Sequence, residues 1–279
     1  MKFGFIGAGK VGFSLGKYLA DNEMEVVGYY SEFKEDALEA SKFTKSSVYK
    51  NIEDLVRDSD VLFLTVPDGA IEKVWNQVKK TGISGKVVCH CSGALSSKVF
   101  SDISELGGFG YSIHPLFAVS DRYNSYKELS NSYFTIEGSP EKIGEIRQIF
   151  EKMGNKICII SAKDKVKYHA AAAIASNLVV GLIDLSEKLL MECGFERDEA
   201  GDALAPIVWG NIKHILNNGV VEALTGPIER GDADTIKKHL AAISGNDRET
   251  YIAVSRQVLE VAKRKNKDRD YSEMEDILK

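Results

Sequence analysis

Six residues near the start of the chain, Gly7-Ala8-Gly9-Lys10-Val11-Gly12, have a spacing suited to chemistry. They follow an apolar run, Phe3 to Ile6, and open a helical pattern from Val11 to Ala20. In that context each glycine has a physical task. Gly7 permits a tight turn, Gly9 removes a side chain that would block a pyrophosphate, and Gly12 lets the helix lie close to the strand. The helix start then offers unpaired N–H groups to phosphate oxygens. The spacing predicts a dinucleotide site at Gly7, Ala8, Gly9, Lys10, Val11 and Gly12. A purely structural turn and a mononucleotide site are the alternatives.

Further candidate contacts stand where later strands end. The second strand, Glu25 to Tyr30, is followed by Ser31, Glu32 and Lys34. A carboxylate directly at its end would favour the ribose diol of NAD. A hydroxyl at Ser31 and an ammonium at Lys34 suit a 2′-phosphate better, so NADP is expected as cofactor, with NAD possible through Glu32. The segment TVPDGAI places Val66, Pro67 and Asp68, and HCSGALS places Ser92 and Gly93, beyond the carboxyl ends of two more strands. Ligands of open parallel sheets bind there. Helix capping is the alternative task for Asp68 and Ser92.

Five histidines, His90, His114, His169, His214 and His239, lack a zinc-site spacing, and no metal is expected. His90 and His114 follow strands toward the ligand edge, with a structural hydrogen bond as the alternative for each. Pro115 fixes the chain after His114. His169, Ala173 and Asn177 recur at four-residue intervals, hence on one face of a helix. The expectation is that His169 transfers a proton and Asn177 orients a carbonyl or imine; a buried pair between helices is the alternative. In ALTGPIERGD, glycines and a proline set turns that place Thr225 near substrate and offer the Arg230 fork to a carboxylate. Arg230 could equally pair with Asp232 or with a partner subunit.

Positioning these residues takes alternating strands and helices. Short apolar runs at Phe3–Ile6, Glu25–Tyr30, Val61–Val66, Lys86–His90 and Tyr111–Leu116 are separated by helical patterns, as in a parallel sheet with covered faces. Asn51 is a candidate cap for a helix near Ile52. Tyr133–Ile136 and Lys156–Ile160 flank a helix expected over Pro140 to Met153, with the proline in its first turn. After Ser161 the strand signals stop. One long helix is expected from there to Cys193, ended by Gly194. Others are expected over Arg197–Leu216, Asp232–Ile243 and Asp247–Ala262, with a charged, fraying end from Lys263. The fold class is therefore an α/β Rossmann-type parallel sheet, residues 1–160, followed by an all-α domain, residues 161–279.

Composition excludes several classes. Of 279 residues, 44% are hydrophobic and 28% charged, which argues against disorder. A net charge of −5 gives no basic footprint for nucleic acid. No continuously apolar stretch reaches a membrane span, so no membrane partner is expected. No signal-peptide arrangement opens the chain, and Cys89, Cys91, Cys158 and Cys193 sit in apolar segments, which fits reduced thiols in a cytoplasmic protein.

Taken together, GAGKVG, TVPDGAI, HCSGALS, HPLF, YHAAAAIASN and ALTGPIERGD resemble a family of Rossmann-like proteins whose C-terminal domain is domain of unknown function 2520. Its members are commonly described as NADP oxidoreductases. The family belongs to the wider 6-phosphogluconate dehydrogenase-like group, with ketopantoate, pyrroline-5-carboxylate and β-hydroxyacid enzymes. The resemblance runs from Met1 to about Ala262. It implies hydride transfer to or from a small carbonyl, alcohol or imine in a cleft between domains, and a homodimer through the helical domains. In the β-hydroxyacid dehydrogenase and ketopantoate reductase groups a catalytic lysine precedes an asparagine by four residues. Asn177 matches that asparagine, but Ala173 stands at the lysine position. His169, one turn earlier, is the expected replacement. The alternatives are a nucleotide-binding sensor or structural dimer without catalysis, a ketopantoate reductase-like enzyme and, by fold analogy alone, an F420-linked reductase.

Overall fold

Phe3, Phe5, Phe63 and Tyr29 show why the strands form where they do. Alternate residues of a strand face one side, and these aromatic rings share a side, with Phe5 stacked on Phe63 at 5.4 Å and on Tyr29 at 5.1 Å. The opposite side carries Ile6, Leu62, Leu64 and Val88, packed with Leu55 and Trp75. A sheet buried on both faces needs helices on both. The computed structural model describes residues 1–279, and the strands are β1 (Lys2–Ile6), β2 (Glu25–Tyr30), β3 (Ser47–Val48), β4 (Val61–Leu64), β5 (Val87–His90), β6 (Phe109–Pro115), β7 (Tyr133–Gly138) and β8 (Lys156–Ile159). They form one sheet of order β3-β2-β1-β4-β5-β6-β7-β8.

All neighbours are parallel except β6 and β7. The β6–β7 connection holds a short 3-10 turn, Ser125–Asn131, and no α-helical crossover, so the chain returns antiparallel. One row of partners crosses the sheet: Tyr30, Ile6, Leu64, His90 and Ser112. The residues just past it form the carboxyl edge. The order reverses at β1, between β2 and β4, which is the switch point where such sheets bind ligands.

The covering helices are α1 (Lys10–Asp21), α2 (Lys34–Thr44), α3 (Ile52–Asp58), α4 (Asp68–Val78) and α5 (Ile143–Lys152). Asn51 caps α3 as expected, accepting the Asp54 N–H at 2.8 Å. Pro140 does not lie in α5. It stands in the turn before the helix, whose first residue is Ile143.

The helical part of the chain comprises α6 (Lys165–Ala175), α7 (Asn177–Glu192), α8 (Arg197–Ala223), α9 (Pro227–Arg230), α10 (Ala233–Ala242), α11 (Gly245–Lys265) and α12 (Ser272–Ile277). The expected single helix from Ser161 to Cys193 is two helices. Ser176, at φ −126° and ψ −80°, leaves the helical region and separates α6 from α7. Its hydroxyl donates to the Ala172 carbonyl at 2.7 Å, a back-bond that competes with the helix ladder. The run Ala162–Glu192 has the length and composition to cross a membrane. That differs from the expectation of no such stretch, yet the run is interrupted at Ser176 and holds the polar Lys165, Tyr168 and His169.

By internal contacts the chain divides into Met1–Asn177 and Leu178–Lys279. The first unit therefore extends past the change of pattern at Ser161 and takes in α6. In the second unit Ile228, Ile236, Leu240 and Leu259 form a core with Tyr271, Met274 and Leu278. The expected fraying after Lys263 is thus corrected. Tyr271, Met274 and Leu278 recur at helical spacing inside a charged segment and are each at most 5% exposed.

Candidate active site

The glycine loop between β1 and α1 has the shape its sequence demands. Gly7 has φ +100°, and a methyl group there would lie 2.7 Å from the Thr65 carbonyl oxygen. At Gly12 a methyl would meet Thr65 Oγ1 at 2.3 Å and the Gly7 carbonyl at 2.5 Å, so only glycine lets α1 approach this closely. Gly9 differs: nothing lies within 4 Å of the corresponding position. The chain leaves open space just where the first N–H groups of α1 are exposed.

Two cavities meet at this loop. One, of about 430 Å³, runs from Gly7, Ala8 and Gly9 past Val66 and Pro67 to Ser31 at the end of β2. Glu32 and Asp36 also line it. Lys34 opens α2, is exposed, and stands outside that wall. The other, of about 390 Å³, is bounded by Gly9, Lys10, Val11, Pro67, Asp68 and Ser92. Glycine N–H groups, a helix start and a bordering hydroxyl form a donor set whose chemistry fits a dinucleotide.

Past β5 the chain folds back on itself through Ser92. Its hydroxyl donates to Asp68 Oδ2 at 2.6 Å and accepts the Ala94 and Leu95 N–H groups at 3.2 and 3.0 Å. Its own N–H donates to His90 Nδ1 at 3.2 Å, which leaves the His90 proton on Nε2, facing the Ser96 carbonyl at 3.2 Å. His90 is thus a structural histidine. Asp68 does not cap α4. It is the first residue of that helix, and its carboxylate accepts the Ser92 hydroxyl hydrogen bond instead.

Gly93 is the point of convergence. A methyl group there would lie 2.6 Å from His169 Nδ1 and 3.0 Å from His114 Nε2. Two imidazoles expected from the sequence, one near the end of β6 and one on α6, therefore face one Cα. His114 Nδ1 is 2.7 Å from the Tyr168 hydroxyl, and the two rings meet edge to face.

Sequence reasoning missed Lys165, the first residue of α6 and 1% exposed. Its Nζ donates to the Ser92 carbonyl at 2.7 Å and to Ser112 Oγ at 2.6 Å. The signal was a lysine four residues before His169, which helical spacing puts on the same face. Burial drives the Lys165 pKa down to about 8, partly offset by the charge of Glu137 and by Cys91 and Asp68. His114 is pushed down to about 4, by burial first and then by the charges of Lys165 and His169. It is neutral at pH 7. Burial likewise pushes His90 down to about 4.

The remaining expected residues fall elsewhere. The break at Ser176 ends the continuous face that was to join His169, Ala173 and Asn177. Asn177 is exposed and accepts the Ser176 hydroxyl at 3.2 Å. In the second unit, Thr225 borders an apolar cavity of about 560 Å³ with Leu185, Leu189, Ile228 and Val258. Arg230 is exposed at the end of α9. Asp232 caps α10, accepting the Thr235 N–H at 3.0 Å.

Comparison with known proteins agrees with this layout. Residues 1–115 match the Rossmann-like domain, and residues 132–258 match the domain of unknown function 2520. A search of curated proteins finds no match. Among solved structures, protein TM1727 from Thermotoga maritima is similar over 95% of this chain and 99% of its own, at 26% identity and a TM-score of 0.76. BF3122 from Bacteroides fragilis shares the fold over 93% and 98%, at 19% identity and a TM-score of 0.72. The NADP-bound pyrroline carboxylate reductase of Plasmodium falciparum shares it over 94% and 98%, at 16% identity and a TM-score of 0.57.

Proposed function

We propose that this chain, which joins a Rossmann-like domain to a domain of unknown function 2520, is an NADP-dependent oxidoreductase acting on a small carbonyl or imine, or on the corresponding alcohol or amine. The observation that carries this reading is the convergence of His114 and His169 over Gly93, beside a glycine loop left open at Gly9. The fold it shares with a reductase that binds NADP adds support. The cofactor would supply or accept the hydride. The protein's own residues do the rest.

Gly7, Ala8, Gly9, Lys10, Val11 and Gly12 hold the pyrophosphate at the start of α1, and Ser31 faces the adenosine ribose. Val66, Pro67, Asp68, Ser92 and Gly93 form the wall for the other half. Tyr168 donates to His114 Nδ1, so that neutral His114 presents its Nε2 proton above Gly93. His169, an exposed imidazole on α6, donates the proton to the reacting oxygen or nitrogen and recovers it from water. Lys165 holds the Ser92 carbonyl and so the height of Gly93.

A second copy of the chain completes the helical unit. Trp209, Leu216, Val180 and Ile207 are between 69% and 79% exposed on α7 and α8, which supports a homodimer through these helices. Light scattering at several concentrations tests this; a monomer throughout would reject it.

Calorimetric titration with NADPH and NADH tests the cofactor reading, and loss of nicotinamide absorbance across a panel of cyclic imines, 2-keto acids and aldehydes tests the reaction. Binding with turnover of at least one substrate is expected. Binding without turnover on any would favour a nucleotide sensor, and folded protein that binds neither would remove the reading.

A further inference from the structure

Arg122 lies on the connection between β6 and β7, 114 positions from the glycine loop, yet its Nη2 donates to the Ala8 carbonyl at 3.2 Å. The same guanidinium stands over the Phe13 ring, 4.5 Å from its centroid. The Arg122 carbonyl accepts the Ser14 hydroxyl at 3.3 Å, which ties the connection to α1. The side chain is thus held between the glycine loop, α1 and α2.

Its contacts with carboxylates are poor for an arginine. Nη1 and Nη2 both reach one oxygen, Asp36 Oδ1, at 3.4 and 3.3 Å, and Nη1 lies 3.1 Å from Glu39 Oε2. A well-made guanidinium–carboxylate pair is a two-oxygen fork at about 2.7–2.9 Å. Arg122 Nε makes no hydrogen bond at all. It is the one buried side-chain nitrogen or oxygen in the chain without a partner. Such an orphaned donor is uncommon in native proteins and points to a missing acceptor.

The place of that acceptor follows from Asp36. This carboxylate lines the 430 Å³ cavity together with Ser31, Glu32 and Gly9. Arg122 is not itself part of the cavity wall; it reaches the ribose end through its contact with Asp36, so a shift of that carboxylate would bring the guanidinium to the cavity. Glu32, Asp36 and Glu39 make this corner acidic. Without Arg122, a phosphate would be repelled there and a ribose diol favoured. With Arg122, a phosphate offers three oxygens to a planar, already oriented fork.

We infer that Arg122 determines cofactor specificity: its guanidinium takes the ribose 2′-phosphate of NADP(H), exchanging its long contacts with Asp36 for charge-assisted bonds to phosphate oxygens. This rests on the dinucleotide reading of the preceding subsection and goes further by naming the residue that separates NADP from NAD.

The test is calorimetric titration of the full chain with NADPH and NADH, for the wild-type, Arg122→Met and Asp36→Asn proteins. Arg122→Met should weaken NADPH by about 10-fold or more, the loss expected for a charged hydrogen bond, and leave NADH within about 2-fold. Asp36→Asn releases the guanidinium and should raise the preference for NADPH over NADH. Equal weakening of both by Arg122→Met would overturn the proposal, because it would place Arg122 on the shared pyrophosphate or in loop anchoring only. Unchanged binding would also overturn it, as would a wild-type preference for NADH. If Arg122→Met does not fold, Asp36→Asn decides alone: an unaltered NADPH-to-NADH ratio rejects the exchange. A folded wild-type chain that binds neither dinucleotide is a different result. It removes the cofactor reading itself, and the specificity proposal with it.

Discussion

Lys165 Nζ and the Ser92 carbonyl oxygen are 2.7 Å apart, in a place where the lysine is 1% exposed and has no carboxylate within ion-pair distance. An ammonium in that setting pays for its burial through its pKa, which falls to about 8. Between pH 8 and its ordinary value of 10.5 the unfolded chain binds this proton more tightly than the folded one. Stability linked to Lys165 therefore rises as pH increases through that window and is lost as pH falls to 8.

Lys165→Met tests this sign. Methionine keeps the length and removes the charge, while Ser112 Oγ still donates to the Ser92 carbonyl at 3.1 Å. At pH 7 the variant should be at least as stable as the wild type. That advantage should shrink by about 3 kcal/mol between pH 8 and pH 10.5, because each tenfold loss of proton affinity on folding corresponds to ~1.4 kcal/mol. Urea unfolding of both proteins at the two pH values measures it. A pH-independent difference would show that the folded lysine titrates as it does in the unfolded chain and keeps its charge.

Acid should destabilise the first unit through His90. Its folded pKa of about 4 lies below the ordinary 6.5. Below pH 6.5 the unfolded chain takes up a proton that the folded chain refuses, so stability falls progressively down to about pH 4. The contribution is ~3 kcal/mol. His114 acts in the same direction, by burial and by the charges around it. Nuclear magnetic resonance titration of the imidazole protons checks both: a resonance that moves near pH 6.5 for His90 would contradict its buried, neutral state.

Gly93→Ala asks whether the two imidazoles need the space above that residue. Gly93 has no positive φ, so alanine suits its backbone and only the methyl group is at issue. That methyl would overlap His169 Nδ1 and approach His114 Nε2 at 3.0 Å. Destabilisation by about 1–3 kcal/mol is expected as the rings move aside. Turnover of any substrate found in the panel should fall at least as far as in His169→Gln. Full activity in Gly93→Ala would mean that the rings do not work over this Cα.

His169→Gln should lower kcat about 100-fold or more, within the range for a lost general acid. Dinucleotide affinity should change little, since the glycine loop is untouched. Steady-state rates paired with calorimetry separate the two effects. Near-wild-type kcat would transfer the proton-donating role to His114 or water.

Much of this protein follows from its amino-acid order alone. GAGKVG specifies its own turn, because a positive φ at Gly7 and close approach at Gly12 are backbone demands that only glycine meets. The non-alternating apolar runs determine a sheet covered on both faces, and Asn51 and Asp232 determine local helix starts. The position of His114 at the carboxyl edge of the sheet is legible because it closes an apolar strand run. Other features depended on three-dimensional packing. Local spacing cannot report that Arg122 returns across 114 positions to the Ala8 carbonyl, or that Lys165 turns inward rather than out to water. Helical periodicity predicted one face for His169 and Asn177, and a single serine back-bond at Ser176 interrupted it. The charge density of the C-terminal segment predicts fraying, yet Tyr271, Met274 and Leu278 pack into a core. The common reason is physical. Turns, caps and periodicity are short-range properties of the backbone, whereas the partner of a buried charge or an orphaned donor is chosen by packing between segments far apart in the chain.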